Sequence, residues 1–238
     1  MSGWAAKRFW KAATVVSVET GFEVALDGRR VKTPAKSPLI LPTRALAEAV
    51  AAEWQAQETT IAPESMPCTR SANAAIDKVA PQRTEVAKLI AAYGDSDLLC
   101  YRAEGPEALV ARQAKAWDPM LDWAASALGA RLSVAAGVIH IAQPAECLAV
   151  LDAAVAEFDA FELTALHDLV ALSGSLVLGL AASHGVAPAE DLWNLSRVDE
   201  DWQVEHWGAD EEAAENAALR RAAFLHAARF LQLVRSPG

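Results

Sequence analysis

The run TVVSVETGFEVALDGRRVKT, from Thr14 to Thr33, decides the fold class of the N-terminal part of the chain. Short segments rich in Val, Phe and Thr alternate in it with the turn sequences ETG at 19–21 and DG at 27–28. Such glycine-containing turns between β-branched segments are typical of antiparallel hairpins. We therefore expect a β-meander here, followed by an edge strand in the proline-bounded segment SPLILP at 37–42.

A helical period replaces this alternation at Thr43. Its hydroxyl suits the N-cap position, and Leu46, Val50 and Trp54 follow at helical spacing. Similar patterns continue almost to the C-terminus. The predicted helices span 43–57, 71–79, 81–92, 106–128, 144–159, 161–184, 188–207 and 210–234.

The order of these elements predicts an α+β fold. A small antiparallel β-rich N-terminal domain is expected at 1–42, followed by a larger, mostly α-helical body at 43–238. A return strand is predicted at 98–102 and a hairpin at 131–142, and strands from both segments could join the β-rich part.

Composition limits the classes of partner. The 238-residue chain has a formal net charge of −10, and no predicted face gathers the Lys and Arg needed to neutralise phosphates, so we expect no nucleic-acid partner. The three cysteines, Cys68, Cys100 and Cys147, show no metal-ligand spacing and favour a reducing compartment. The longest apolar run, at 169–182, is shorter than the roughly 20 residues of a membrane span, so no stable membrane insertion is expected.

Common catalytic signatures are missing from the sequence. It contains no GxGxxG, no GxxxxGK[ST], no HExxH and no GxSxG. These motifs would otherwise indicate nucleotide, zinc or acyl-transfer chemistry. These three kinds of chemistry therefore lack sequence support, and we predict no cofactor and no metal.

The candidate site lies in WNLSRVDEDWQVEHWGADEE, at 193–212. In one continuous helix, Trp193, Glu200, Val204 and Trp207 would share a face, which places one carboxylate inside an apolar stripe. Glu200 then has two interpretations. It either pairs with Arg197 at i, i+3, or it sits in an exposed patch as a charged anchor for a partner, and the sequence leaves both open.

Two other functions compete with partner binding. A small-molecule enzyme could use Glu205 and His206 for proton transfer, although adjacent helical residues diverge by about 100° and do not face each other. A peripheral membrane protein could use GWAAKRFWK at 3–11, where aromatic and basic residues are interleaved.

Several segments together resemble a known family. They are KRFWK, LDGRRVKTP, LPTRALAEAVAAEW, MPCTRSANAAID, LLCYRAEGPEALVARQAKAWDPMLDWA, SGSLVLGLA and VDEDWQVEHWGADEEA. Their order and spacing, over residues 7 to about 232, are similar to those of the assembly chaperone of the ATP synthase alpha subunit, found in mitochondria and alphaproteobacteria.

The resemblance implies a binding function rather than catalysis. Such a chaperone binds the unassembled alpha subunit of the catalytic head and prevents its aggregation before alpha/beta assembly. The fold it implies, a β domain followed by a helical domain, agrees with the patterns above. No targeting extension of mitochondrial type is apparent, so we expect a bacterial cytoplasmic protein that is a monomer when free.

The resemblance also indicates where the partner binds. The family element DExWQxExWG falls on Asp199, Glu200, Trp202, Gln203, Glu205, Trp207 and Gly208. With Trp193 from the apolar stripe, these residues other than Gly208 form the expected partner-binding set, and Glu200 leads it. The element containing Arg29, Arg30 and Lys32 is either structural or a second contact.

Overall fold

The computed structural model describes residues 7–237 and contains two compact units. The first comprises the chain as far as Arg83, the segment Asp159–Thr164 and the chain from Arg229 onward. The second comprises Thr84–Phe158 and Ala165–Ala228. Each unit is a set of segments that contact one another, which does not define a domain. The domain boundary expected at residue 42 stays a prediction.

The first unit contains the predicted meander. Strands β1 (Ala13–Val18), β2 (Gly21–Leu26) and β3 (Arg29–Arg30) form an antiparallel sheet in the order β1-β2-β3. The predicted edge segment approaches β2 at one point, because Leu41 and Phe22 exchange both backbone hydrogen bonds at 2.8 and 2.9 Å. Gly21 permits this approach, since a Cβ there would lie 2.4 Å from the Leu41 carbonyl oxygen.

Helices make up most of the remaining described chain. They are α1 (Arg44–Gln55), α2 (Pro67–Ala74), α3 (Arg83–Ala91), α4 (Glu107–Trp123), α5 (Ala145–Ala156), α6 (Ala160–Ser173), α7 (Leu176–Ser183), α8 (Ala189–Leu195), α9 (Val198–Trp207) and α10 (Glu211–Arg235). Together with the N-terminal sheet they confirm the predicted α+β class.

Helix α1 lies against β1 and β2 and carries the predicted N-cap. The Thr43 hydroxyl accepts a hydrogen bond from the Leu46 amide at 3.2 Å and donates one to the Leu233 carbonyl at 2.6 Å. Near that carbonyl in sequence, Arg235 pairs with Glu162 at 2.7 Å. The C-terminal end of α10 therefore belongs to the same unit as the N-terminal sheet.

The second unit has its own helical core. Its fully buried large side chains include Trp117, Leu151, Leu166, Leu169 and Phe224. Within it, α4 contacts both α7 and α9, so α4 is the element on which α9 rests.

Two predicted helices are each interrupted, contrary to our expectation. The segment 161–184 divides into α6 and α7 because Gly174 has a left-handed φ of 73° and Ser175 starts a new helix as its N-cap. The segment 188–207 divides into α8 and α9, and the Ser196 hydroxyl donates to the Trp193 carbonyl at 2.6 Å where α8 ends.

The hairpin predicted at 131–142 is also wrong. Strand β5 (Ala135–Ala136) pairs in parallel with β4 (Tyr101–Arg102), in a two-stranded sheet separate from the N-terminal one. Gly137, with φ of 84°, donates its amide to the Arg102 carbonyl at 2.8 Å. The segment therefore pairs with residues 34 positions earlier in the chain instead of folding on itself.

Candidate binding site on helix α9

Helix α9 is attached to α4 by two buried polar side chains. The Trp117 indole N–H donates at 2.7 Å to the carbonyl of Leu195, the last residue of α8, three residues before α9 begins. Gln113, which is 1% exposed, donates its amide N–H to Asp199 at 2.6 Å and accepts the Ala103 amide at 2.8 Å. Because each buried polar group has a partner, the position of α9 is well determined.

A second attachment lies further along α9. The Arg112 Nη1 lies 2.8 and 2.6 Å from the two carboxylate oxygens of Glu205. This hydrogen bond from the guanidinium is the main cause that lowers the pKa of Glu205. Glu205 therefore stays ionised and is engaged with α4.

Glu200 is paired with Arg197, as one of the two interpretations required. Their closest atoms are 2.8 Å apart, and the Arg197 guanidinium also lies over the Trp193 ring, 5.7 Å from its centroid. The Glu200 side chain remains partly exposed. It is therefore a paired carboxylate at the surface rather than a free one.

Trp193 does not belong to an exposed patch. It is only 4% exposed, and its ring lies 5.7 Å from that of Phe224. The stripe that placed it beside Glu200 assumed one helix, whereas the chain breaks between α8 and α9. The exposed-patch interpretation is wrong for Trp193, which is a core residue packed against Phe224.

The exposed part of α9 is its C-terminal half. Trp207 is 78% exposed and Val204 is 48% exposed, and Gln203 is also at the surface. Trp202 is half-buried and stacks on His206 at a centroid distance of 4.1 Å. An exposed tryptophan beside an exposed valine on a well-held helix is suited to contact an apolar surface.

One carboxylate of α9 was missed in the sequence analysis. Asp201 is exposed and lies within ion-pair distance of no cation in residues 7–237, whereas Asp199, Glu200 and Glu205 each have a side-chain partner. The partners Arg112 and Gln113 lie about 90 residues away in the chain. Spacing within α9 therefore could not distinguish Asp201 from its neighbours.

The proposed Glu205 and His206 pair is not assembled. Glu205 is held by Arg112, and the His206 Nδ1 lies 2.8 Å from the Trp202 carbonyl oxygen. The two side chains thus have different partners. The geometry gives no proton-transfer pair of the kind that the enzyme interpretation required.

The described residues also bear on metals and membranes. Across residues 7–237, no three His, Cys, Asp or Glu side chains converge as a metal site. No helix in that range is both long and apolar enough to cross a bilayer. Of the segment GWAAKRFWK, residues 3–6 lie outside the described part of the chain.

The structure is similar to solved proteins over almost its whole length. It matches the crystal structure of Atp12 from Paracoccus denitrificans with a TM-score of 0.95 and 53% identity, covering 97% of this chain and 99% of that one. A lysine-for-aspartate mutant of the Paracoccus protein matches with a TM-score of 0.95 and 52% identity, covering 97% of this chain and 98% of that one. The protein Atu1473 from Agrobacterium tumefaciens matches with a TM-score of 0.90 and 45% identity, covering 97% of this chain and 85% of that one.

Sequence comparisons agree with this fold. The mitochondrial protein atp12 of Schizosaccharomyces pombe is 26% identical over 223 residues, which cover 88% of this chain and 76% of that protein. The family model for the ATP12 chaperone protein matches residues 7–125. The chain therefore belongs to the ATP12 chaperone family.

Proposed function

We propose that this protein is an assembly chaperone for the F-type ATP synthase. It binds the unassembled alpha subunit of the catalytic head and prevents its aggregation before the alpha and beta subunits join. Family membership supports this role. The observation that carries it is the exposed Trp207 and Val204 beside the uncompensated Asp201 on a firmly attached helix.

The physical basis is temporary protection of an interface. A subunit that has not yet met its neighbours exposes apolar surface, and an exposed tryptophan on a chaperone can cover part of that surface. Because α4 holds α9 in place, little conformational entropy is lost when the partner binds. The proposal includes a cytoplasmic, monomeric protein that uses no catalysis and no cofactor.

The expected site residues have two roles in this proposal. Direct contacts come from Trp207, Gln203 and Glu200 of that set, together with Asp201, which was not in it. The others position α9, namely Asp199 through Gln113, Glu205 through Arg112, Trp202 through His206, and Trp193 from the core.

The decisive experiment measures binding to purified alpha subunit by calorimetry and aggregation of that subunit by light scattering. Trp207→Ala should weaken binding by about tenfold or more, because a central tryptophan typically contributes about 2 kcal/mol. Asp201→Lys should also weaken it, whereas Asp152→Lys, an exposed acid on α5, should not. Wild-type protein that neither binds the alpha subunit nor slows its aggregation would refute the proposal.

A further inference from the structure

Charge is strongly segregated along this chain. The first 44 residues contain eight Lys and Arg against three Asp and Glu, although the whole protein has a net charge of −10. Exposed charges act over about 8 Å at physiological ionic strength, so the exposed cations of this segment act on groups close to the sheet. The N-terminal sheet can therefore attract anionic groups.

Three of these eight cations have structural partners. Arg8 donates to several backbone carbonyls, including those of Gln55 at 3.0 Å and Gln57. Arg30 pairs with the buried Glu23 at 3.0 Å. Arg44 lies over the Phe22 ring and near the Glu48 carboxylate. Their charges are not available to a partner in full.

The other five cations face solvent. Within residues 7–237, none of them has a carboxylate within ion-pair distance, and all are exposed. They are Lys7, Lys11, Arg29, Lys32 and Lys36.

An aromatic side chain lies among these cations. Phe9 is 61% exposed, with the Arg29 guanidinium 5.7 Å from its ring centroid and the Trp10 ring edge-on at 5.2 Å. Asp27, in the β2–β3 turn, accepts the backbone amides of Lys11 and Ala12 at 2.9 Å each. These contacts hold Phe9, Lys11 and Arg29 together at one end of the sheet.

We propose that this basic surface, defined by Phe9, Lys11 and Arg29, binds an acidic segment of the alpha subunit. The inference rests on the function proposed above and adds a second contact of opposite charge to α9. Charge complementarity identifies the partner's chemistry: cations beside an exposed aromatic side chain match carboxylates flanking an apolar residue.

A membrane surface fits these observations less well. Interfacial anchors are typically amphipathic helices whose binding grows with the apolar area inserted. Residues 8–12 are not helical, and Phe9 is the only large apolar side chain strongly exposed between residues 7 and 44. A polypeptide partner needs only one such anchor, provided that its rim charges match.

The test compares two double variants with the same net charge. In one, Lys11→Gln and Arg29→Gln are combined; in the control, Lys78→Gln and Lys88→Gln, which are also exposed. The dissociation constant for purified alpha subunit is measured at about 50 mM and about 500 mM NaCl, with thermal unfolding as the folding check. We expect about fivefold weaker binding for the first variant at low salt and less than about twofold at high salt, with the control unchanged.

Other outcomes separate the two proposals. If Trp207→Ala weakens binding but the Lys11 and Arg29 variant matches its control, the basic surface is excluded and the chaperone function stands. If wild-type protein binds no alpha subunit at either salt concentration, both are overturned. If the variant loses binding only to vesicles containing anionic phosphatidylserine, the surface is a membrane contact and this proposal is wrong.

Discussion

Asp27 combines a backbone role with a charge role. It adopts φ of 47°, which aspartate tolerates better than most residues, and its carboxylate accepts the amides of Ala12 and Lys11. Those two hydrogen bonds lower its pKa below the ordinary value of 3.8. The folded protein thus holds this proton less tightly than the unfolded chain does.

The sign of the resulting pH dependence follows directly. A lowered carboxyl pKa stabilises the fold above the unfolded-state pKa, and this contribution is lost as pH falls through the folded-state pKa. Asp27→Asn should therefore be less stable than wild type at pH 7, and the difference should narrow below about pH 3.8. Urea unfolding across this range checks it, with Asp152→Asn as the control. A difference that stays constant with pH would contradict it.

Gln113 gives a second test, in the buried contact between α4 and α9. Gln113→Ala removes the partner of Asp199 and leaves the Ala103 amide without its acceptor. We expect a loss of about 1–3 kcal/mol in the free energy of unfolding, together with faster hydrogen exchange in α9. Gln203→Ala, on the exposed face of α9, should change stability by less than about 0.5 kcal/mol. Equal effects of the two changes would show that Gln113 does not hold α9.

Local spacing predicted only part of the site. The Arg197 and Glu200 pair follows from an i, i+3 spacing within one short segment. Trp193 is buried against Phe224, which is distant in sequence. The α4 side chains Arg112 and Gln113 bind Glu205 and Asp199 but not Asp201. No periodicity within 193–212 contains those contacts, so the sequence could not separate supporting residues from exposed ones.

The start of α7 depends on a residue from a distant segment. Ser175 accepts the Leu178 amide at 3.0 Å as N-cap and donates its hydroxyl at 2.8 Å to the fully buried Asp97. The same carboxylate accepts the amides of Val177 at 2.9 Å and Leu99 at 3.0 Å. Asp97 thus joins the turn before β4 to the first turn of α7.

Replacing this cap should weaken the helix junction. Ser175→Ala removes a cap worth about 0.5–2 kcal/mol and a hydrogen bond to a buried carboxylate worth about 1.5–3 kcal/mol. We expect a combined loss of about 2–4 kcal/mol in chemical denaturation. Ser126→Ala, at an exposed helical position, should stay within about 0.5 kcal/mol. A small effect at Ser175 would mean that Asp97 finds another donor.

This junction also explains an error at the level of helices. Gly174 and Ser175 lie inside an apolar run, and apolar periodicity continues across them. The break becomes favourable because Asp97, 78 residues earlier, supplies the acceptor. The N-terminal meander was predictable because its turns carry their own signals, in ETG and DG.

The first compact unit is built from both ends of the chain. Thr43 donates to the Leu233 carbonyl, Arg235 pairs with Glu162, and Leu231 and Val234 are buried. The sequence pattern predicted that α10 is helical, but it did not predict that the C-terminal end of α10 packs in the first unit. Closure between segments about 190 residues apart is a tertiary property that composition and periodicity do not encode.

Truncation tests the role of this C-terminal segment. Ending the chain after Ala228 removes Phe230, Leu231 and Val234, and buried residues of this kind each contribute about 2–5 kcal/mol. We expect the shortened protein to lose the cooperative unfolding of its N-terminal sheet, monitored by hydrogen exchange in β1 and β2. Ending the chain after Ser236 should leave the cooperative unfolding and the hydrogen exchange of β1 and β2 unchanged. Full protection of β2 in the shorter protein would contradict this.

The hydrogen bond between Thr43 and Leu233 has a consequence for the order in which the protein acquires its structure during translation. The β-meander is synthesised before the segment from Arg229 onward, although both belong to the same unit. At roughly 5–20 residues per second, about 10–40 s pass between synthesis of Thr43 and of Leu233. In that interval Thr43, at the start of α1, lacks its Leu233 partner, so the first unit of a protein that we propose as a chaperone is itself incomplete and open to aggregation.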